Sequence, residues 1–246
     1  MTGRLITTME DLRPGDMFLG PIGGLVGFGV GLGLDILGEA FQAGTLSIRH
    51  AGIITEAGHW LPRGDDEWVP PMLAQAMPSG AEIVPLDPAK HWTEKCAYVR
   101  LPEDYPGQAE DAAAVARLMV SEGVGYSFLS YPALAAYKVG IRNEKLRGWI
   151  NRRREPIKVD LPSGYGVPAG DEPGMWKGLR LPRRAICSQF NDQAWSLVGK
   201  DLIPDTHPQA VTPGLLADTL SDLDGAIWAR PRGINLPART WRVSAA

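Results

Sequence analysis

The sequence predicts an α+β fold in which a mostly antiparallel sheet packs against helices. Short runs of strand-forming residues, separated by turns, follow one another between residues 46 and 101. Runs with apolar residues at helical spacing come later, at residues 106–122 and from Cys187 onward. The 246-residue chain shows no internal repeat or clear domain boundary, so we expect residues 1–246 to form a single domain around one core.

Composition excludes several classes of protein. The formal net charge of -3 gives no indication of nucleic-acid binding. Cys96 and Cys187 are the only cysteines, which excludes a disulfide framework and a cysteine-rich zinc site. The N-terminus lacks a charged-then-apolar signal pattern, so we expect a cytoplasmic protein or a component of a larger assembly. A Cys96–Cys187 disulfide is then the minority alternative.

The first predicted strand begins at Met17, after a Pro-Gly-Asp turn at residues 14–16. Residues 20–44 then contain nine glycines among apolar side chains. A run of 18 uncharged residues here includes Pro21 and is marginal for crossing a membrane. We therefore expect a flexible apolar flap or a buried glycine-rich hairpin, with membrane contact as the alternative.

Four further segments read as strands, and together they predict an antiparallel meander. They are residues 46–56, which contain His50, residues 72–77, which contain Gln75, and residues 81–86 and 96–101. A polar loop at residues 57–70 separates the first two.

The C-terminal part predicts helices joined by irregular segments. Helices are expected at 106–122, ended by Gly123, at 132–139, and after Thr212, which has the character of an N-cap with Pro213 behind it. An aromatic-rich loop at 125–131 holds Tyr126, residues 161–182 read as an irregular loop, and 227–230 as a last strand.

Residues 140–160 carry seven basic and three acidic side chains, a local excess of +4. A solvated basic helix is the main interpretation. Contact with an anionic or membrane surface through 140–158, together with 20–44, is the alternative.

The stretch around Cys187 has the character of a nucleophile at the start of a helix. An apolar pair leads into Cys187, and Phe190 and Ala194 then recur at helical spacing. In the first turn of a helix, backbone N–H groups and the helix dipole favour a thiolate and can hold a developing oxyanion. The alternative is a buried structural cysteine.

A cysteine nucleophile needs a base within hydrogen-bond reach, and that base needs an orienting group. Of the four histidines, only His50 is flanked by strand-like apolar residues that would hold its ring. His59 lies in a charged loop, His91 at a turn and His207 in a proline-rich connection. The alternative is that His50 is a structural histidine whose hydrogen bonds are satisfied within the core.

The order of these pieces resembles a known family. Gly15-Asp16 is followed by His50-Ala51-Gly52-Ile53, then Gln75-Ala76, then Tyr126 and finally Cys187-Ser188-Gln189-Phe190. This order is similar to the circularly permuted branch of the NlpC-type papain-like hydrolases, which includes relatives of lecithin:retinol acyltransferase. The resemblance spans roughly residues 12–220 through short motifs.

The resemblance implies a papain-like antiparallel sheet packed against a nucleophile-bearing helix, with inserts at about 20–44 and 140–182. It makes Cys187 the nucleophile, His50 the base and Gln75 the orienting residue, and it places Tyr126 near the site. Gln75 stands where many relatives have glutamate. A neutral amide can orient an imidazole but cannot stabilise an imidazolium as a carboxylate does.

The expected activity is that of a thiol hydrolase, of the peptidase or amidase type, that acts through a thioester without a metal or organic cofactor. A lipid acyl hydrolase or acyltransferase on the same site is one alternative. A non-catalytic binding or structural module that keeps the fold is the other. The expected partner is a peptide, amide or lipid-like acyl substrate, and the oligomeric state stays open.

Overall fold

The computed structural model describes residues 5–23, 41–43, 46–60, 68–104, 106–127, 157–159, 179–203 and 211–231. Its strands are β1 (Met17–Gly20), β2 (Phe41–Ala43), β3 (Leu46–Ile48), β4 (His50–Glu56), β5 (His59–Trp60), β6 (Trp68–Val69), β7 (Met72–Met77), β8 (Gly80–Pro85), β9 (Ala97–Arg100), β10 (Gly125–Tyr126), β11 (Ile157–Val159), β12 (Leu179–Leu181), β13 (Arg184–Ala185) and β14 (Ile227–Ala229). The α-helices are α1 (Pro88–His91), α2 (Gln108–Ser121), α3 (Cys187–Ser196) and α4 (Pro213–Asp222).

A six-stranded antiparallel sheet is the main feature, with strand order β14-β9-β1-β4-β7-β8. This confirms the predicted α+β class with a large antiparallel sheet. Strands β4, β7 and β8 form the predicted meander, but β9 does not continue it. β9 instead pairs with β1, and both strands place alternate apolar residues on the same two faces of the sheet.

Each face of the sheet has its own apolar cluster. On one face, the helix-side core joins Ile53 and Val99 of the sheet to helix residues such as Val115, Phe190 and Trp195. On the other face, the second core contains residues that alternate with these along the strands; among them are Phe18, Ile54, Leu73 and Tyr98. The four inner strands β9, β1, β4 and β7 are therefore buried on both faces, and polar side chains within them need partners.

The Pro-Gly-Asp turn fastens the start of β1 to the rest of the fold. Gly15 has φ +90°, and a Cβ there would lie 2.6 Å from the Ala109 Cβ, so only glycine fits. The Asp16 carboxylate accepts hydrogen bonds from Arg100 Nε at 2.8 Å and Nη2 at 2.6 Å. It also accepts from the Arg13 backbone N–H at 2.8 Å, so one buried carboxylate holds both the turn and β9.

The predicted helix boundaries at Gly123 and Thr212 are confirmed. α2 ends at Ser121, and Gly123 follows with φ +67°. Thr212 Oγ1 accepts a hydrogen bond from the Leu215 N–H at 3.1 Å at the start of α4, with Pro213 as the first helical residue. These boundaries depend on local chemistry, which is why the sequence predicts them.

Several local predictions are wrong. The predicted strand 46–56 breaks at Arg49 into β3 and β4, whose strand partners differ, and the predicted loop 57–70 contains β5 and β6 at its ends. His91 ends the short helix α1, and Tyr126 belongs to a strand instead of a loop.

The basic-helix interpretation of 140–160 is wrong for residues 157–159, because this segment pairs antiparallel with 179–181 as a strand. The same pairing corrects the irregular loop predicted at 161–182 for residues 179–181. Such pairing between distant residues leaves no local periodicity in the sequence. The rest of the 140–182 insert, and the helix predicted at 132–139, lie outside the described residues.

The glycine-rich insert leaves and returns at the same end of two neighbouring central strands, since Gly20 at the end of β1 pairs directly with His50 at the start of β4. Its last described residues form β2, which pairs antiparallel with β3, while residues 24–40 and 44–45 lie outside the described part of the chain. The flap and membrane interpretations concern mainly those residues. In the described part of the chain, every helix is too short or too polar to cross a bilayer.

Candidate active site

Cys187 is the first residue of α3, as predicted. Ile186 is the extended N-cap, with φ -85° and ψ 169°, and its backbone N–H donates to Gln189 Oε1 at 3.2 Å. The first helical bond runs from the Phe190 N–H to the Ile186 carbonyl at 2.9 Å. The thiol therefore sits at the positive end of the helix dipole, where an anion is stabilised.

Contacts on three sides fix the position of Cys187. Its carbonyl accepts from Asn191 Nδ2 at 2.8 Å, and the neighbouring Ser188 hydroxyl donates to the Val211 carbonyl at 2.7 Å. Its Sγ lies 4.0 Å from the carbonyl oxygen of Arg49, the residue that precedes His50. The N-terminal end of α3 therefore meets the start of β4.

Three side chains on neighbouring strands form a hydrogen-bonded chain. His50 Nε2 and Gln75 Oε1 are 2.7 Å apart, and Gln75 Nε2 donates to Glu82 Oε1 at 3.0 Å. Gln75 lies directly opposite Glu82 across β7 and β8, and opposite Gly52, which is two residues from His50 on β4. Residues two apart on a strand share a face, so this register brings the three side chains together.

The hydrogen-bonded chain determines which nitrogen of His50 carries the proton. The amide of Gln75 turns its NH₂ toward Glu82 and its oxygen toward His50, and an amide oxygen can only accept. His50 Nε2 is therefore the donor, and in the neutral ring Nδ1 keeps its lone pair. His50 Nδ1 is buried and has no hydrogen-bond partner within the described ranges, so it is the available base.

Burial lowers the pKa of His50 from 6.5 to about 4; the Gln75 bond opposes this shift and the charge of His91 adds to it. His50 is therefore neutral at pH 7. The ring is held edge-on by Phe18, with centroids 6.2 Å apart. A neutral, oriented imidazole can accept a proton, but its imidazolium form has no carboxylate beside it to offset burial.

Cys187 contacts the backbone of Arg49, the residue before His50, but its thiol and the His50 ring are not hydrogen-bonded to each other. By strand alternation His50 points to the second-core face, where Phe18 lies, whereas α3 packs on the helix-side face. The two meet at the start of β4, where the Cys187 sulfur contacts the Arg49 carbonyl. Proton transfer from the thiol to Nδ1 therefore requires the two side chains to approach each other around this end of the strand.

Tyr126 lies beside the strand that leads into α3. β10 and β13 pair in parallel with Tyr126 opposite Ala185, and the Ser127 N–H donates to the Ala185 carbonyl at 3.2 Å. Ala185 is two residues before Cys187. The structure thus brings buried Tyr126 to the strand that enters α3, close to the position that the resemblance implied.

The sequence analysis did not identify Glu82 as a residue of the site. The turn at Pro78-Ser79 could have indicated it, because a two-residue turn pairs Met77 with Gly80, and this register places Glu82 opposite Gln75. The other histidines do not join the site: His59 is exposed on β5, His91 lies on α1, and His207 is outside the described residues.

The two cysteines are not joined, so the disulfide alternative is wrong. Within the described ranges, no three His, Cys, Asp or Glu side chains converge as a metal site would require.

Asp192, on α3, is a second buried titratable group. Burial, assisted by the nearby charge of Asp201, raises the pKa of Asp192 from 3.8 to about 7. Its side chain is 2% exposed, and its Oδ1 has no hydrogen-bond partner in the part of the chain that the structure describes. Ionising this carboxyl therefore costs folding free energy.

His50 and Asp192 are expected to have opposite effects on stability over nearly the same pH window. The lowered pKa of His50 removes stability as the pH falls from 6.5 to about 4, because the unfolded chain binds the proton more tightly. The raised pKa of Asp192 removes stability as the pH rises from 3.8 to about 7. Each effect is on the order of 3–4 kcal/mol, so they largely cancel in the unaltered protein.

Urea unfolding between pH 4 and 7 checks this cancellation. We expect Asp192→Asn to become more stable as the pH rises through this window, and His50→Gln to become less stable. Parallel profiles for the two variants would show that these groups do not titrate as the structure indicates.

The chain matches no protein-family model, and no curated protein matches it. Functional assignment therefore depends on the geometry described above and on the motifs in the sequence.

Proposed function

We propose that this protein is a cysteine-dependent hydrolase with a permuted NlpC-type, papain-like fold, acting on an amide or peptide bond through a thioester. The observation that carries the proposal is the His50–Gln75 bond at 2.7 Å, which leaves Nδ1 as the base at the strand end reached by Cys187. The order of motifs along the chain supports the same family.

The proposed reaction begins when His50 Nδ1 accepts the thiol proton and Cys187 Sγ attacks the substrate carbonyl carbon. The Cys187 backbone N–H and the Tyr126 hydroxyl are the proposed oxyanion donors. The carbon–nitrogen bond then breaks, and the leaving amine takes the proton from His50. Water, deprotonated by His50, attacks the thioester and releases the carboxylic acid and the Cys187 thiol.

Burial of His50 decides whether Cys187 and His50 are neutral or ionised before the substrate binds. Because the pKa of His50 is lowered to about 4 and Gln75 carries no charge, a resting thiolate–imidazolium pair is disfavoured. Proton transfer then accompanies sulfur attack, with Gln75 keeping Nδ1 as the acceptor.

Comparing the two cysteines tests the proposal. Cys96 and Cys187 are 0% and 1% exposed, so equal burial makes them a matched pair. Burial raises the pKa of Cys96, which sits in the second core away from any histidine bond. We expect iodoacetamide at pH 7 to modify Cys187 faster, as measured by peptide mass spectrometry. Equal rates would favour the non-catalytic module.

Hydrolysis rates measured with a panel of p-nitrophenyl acyl esters and peptidyl amides show which acyl group the proposed substrate carries. Intact-mass measurement is expected to show an acyl adduct on Cys187. Turnover of esters alone would move the assignment toward the lipid acyl hydrolase or acyltransferase.

Removing the orienting amide is expected to cost less than removing the nucleophile. Gln75→Ala leaves His50 free to rotate and to change tautomer, and we expect kcat/KM to fall on the order of 10–100-fold. Met77→Ala, on the same strand, is the control and is expected to keep its activity. Full activity in Gln75→Ala would mean that His50 is oriented by other contacts.

A further inference from the structure

We propose that Glu82 is a positioning residue that sets the tautomer of His50 by fixing the amide of Gln75. This inference rests on the proposed function, because it concerns the base of that reaction. Glu82 touches neither the thiol nor His50, and it acts through Gln75 alone.

The hairpin of β7 and β8 holds Glu82 firmly in register with Gln75. Pairing is continuous from Met72 opposite Pro85 to Met77 opposite Gly80, with Gln75 and Glu82 as a direct cross-strand pair. The Ala81 N–H donates to the Val124 carbonyl at 2.9 Å, which ties this hairpin to the segment that leads into Tyr126. Glu82 therefore has a defined position beside the amide.

The amide of Gln75 has two orientations, and Glu82 distinguishes them. In the observed one, the NH₂ group donates to Glu82 at 3.0 Å and the oxygen accepts from His50. In the flipped one, the amide oxygen would face the Glu82 carboxylate, so two acceptors would meet without a proton between them. A hydrogen bond to an ionised acceptor is stronger than one between neutral groups, so the observed orientation is selected.

The orientation of the Gln75 amide decides which tautomer His50 adopts. A flipped Gln75 would present its NH₂ to His50 Nε2, which would then need its lone pair, and the ring proton would move to Nδ1. A protonated Nδ1 cannot accept the thiol proton from Cys187. Glu82 thus keeps the ring in the only neutral tautomer that serves as the base.

Nitrogen NMR of the full chain, labelled with ¹⁵N-histidine, reads the tautomer directly. The His50 signal is assigned by its loss in His50→Gln. We expect the unaltered protein to show a protonated Nε2 and an unprotonated Nδ1 at pH 7. Glu82→Leu, and the smaller Glu82→Ala as a second variant, should shift the signal toward the Nδ1-protonated tautomer.

Matched variants separate positioning from a merely structural role. Glu82→Gln can present either the oxygen or the NH₂ of its own amide to Gln75, so it no longer selects one orientation and is expected to shift the signal only part of the way. Glu56→Leu, at the exposed end of β4, is the control and should leave it unchanged. An unchanged His50 spectrum in folded Glu82→Leu or Glu82→Ala overturns the proposal, as does a Glu56→Leu spectrum that shifts as far as theirs.

Activity provides an independent readout. We expect Glu82→Leu to lower kcat on the order of tenfold with little change in KM, and Glu82→Gln to lower it less. The tautomer measurement needs no turnover, so it remains valid even if the protein proves to hydrolyse nothing. Failure of the hydrolase proposal and failure of the Glu82 proposal are therefore distinguishable.

Discussion

Replacing Cys187 with alanine is expected to lower hydrolysis of an acyl substrate by about 10⁴-fold or more. In the proposed reaction the sulfur is the atom that forms the thioester, so no neighbouring group can replace it. The fold should persist, because Ile186 still caps α3 and Asn191 still bonds to the backbone carbonyl of residue 187. Far-UV circular dichroism and a urea unfolding curve check the fold beside the kinetic measurement.

Cys96→Ala is the matched control for this experiment. Cys96 is equally buried but lies in the second core, with its sulfur near the Thr93 hydroxyl at 3.4 Å. We expect Cys96→Ala to lose some stability and to keep its kcat/KM. A Cys187→Ala protein with unaltered activity would exclude thiol catalysis and leave the non-catalytic module as the remaining reading.

Asp16→Ala is expected to lower the free energy of unfolding by about 3–5 kcal/mol. The carboxylate is 2% exposed and accepts two hydrogen bonds from the guanidinium of Arg100, whose side chain is 12% exposed. Removing it takes the only carboxylate of this ion pair away from a largely desolvated cation, which keeps its bond to the Asp11 carbonyl, and frees the Arg13 N–H of the turn. The urea midpoint at constant slope measures the loss.

A double variant shows whether the loss arises from the pair. Asp16→Ala combined with Arg100→Met removes both charges, and we expect it to cost less than the sum of the single variants. Lys90→Ala breaks an exposed pair with Asp87 and is expected to leave stability unchanged. Strictly additive losses would mean that Asp16 acts only through its turn.

Much of the secondary structure near the site was predictable because it depends on neighbours in sequence. The start of α3 at Cys187 follows from apolar spacing, and the start of α4 follows from the Thr212 cap. The strands that hold His50 and Gln75 follow from their apolar residues and flanking turns. The two residues of the His50–Gln75 bond were also predicted, through the order of motifs.

Other features depend on contacts between distant segments. The pairing of β9 with β1, and of residues 157–159 with 179–181, leaves no local pattern, because backbone hydrogen bonds look alike whichever strand supplies them.

The sequence by itself determined the residue types of the site, the helix that begins at Cys187 and the presence of a strand that holds His50. The tertiary structure decided how they meet. Strand register placed Glu82 against Gln75, and the amide orientation then assigned the His50 proton to Nε2. Packing of α3 brought the sulfur to the Arg49 carbonyl, and burial lowered the pKa of His50 to about 4. Direction, burial and proton position are properties of assembled side chains, so they appear only when the strands and helices pack together.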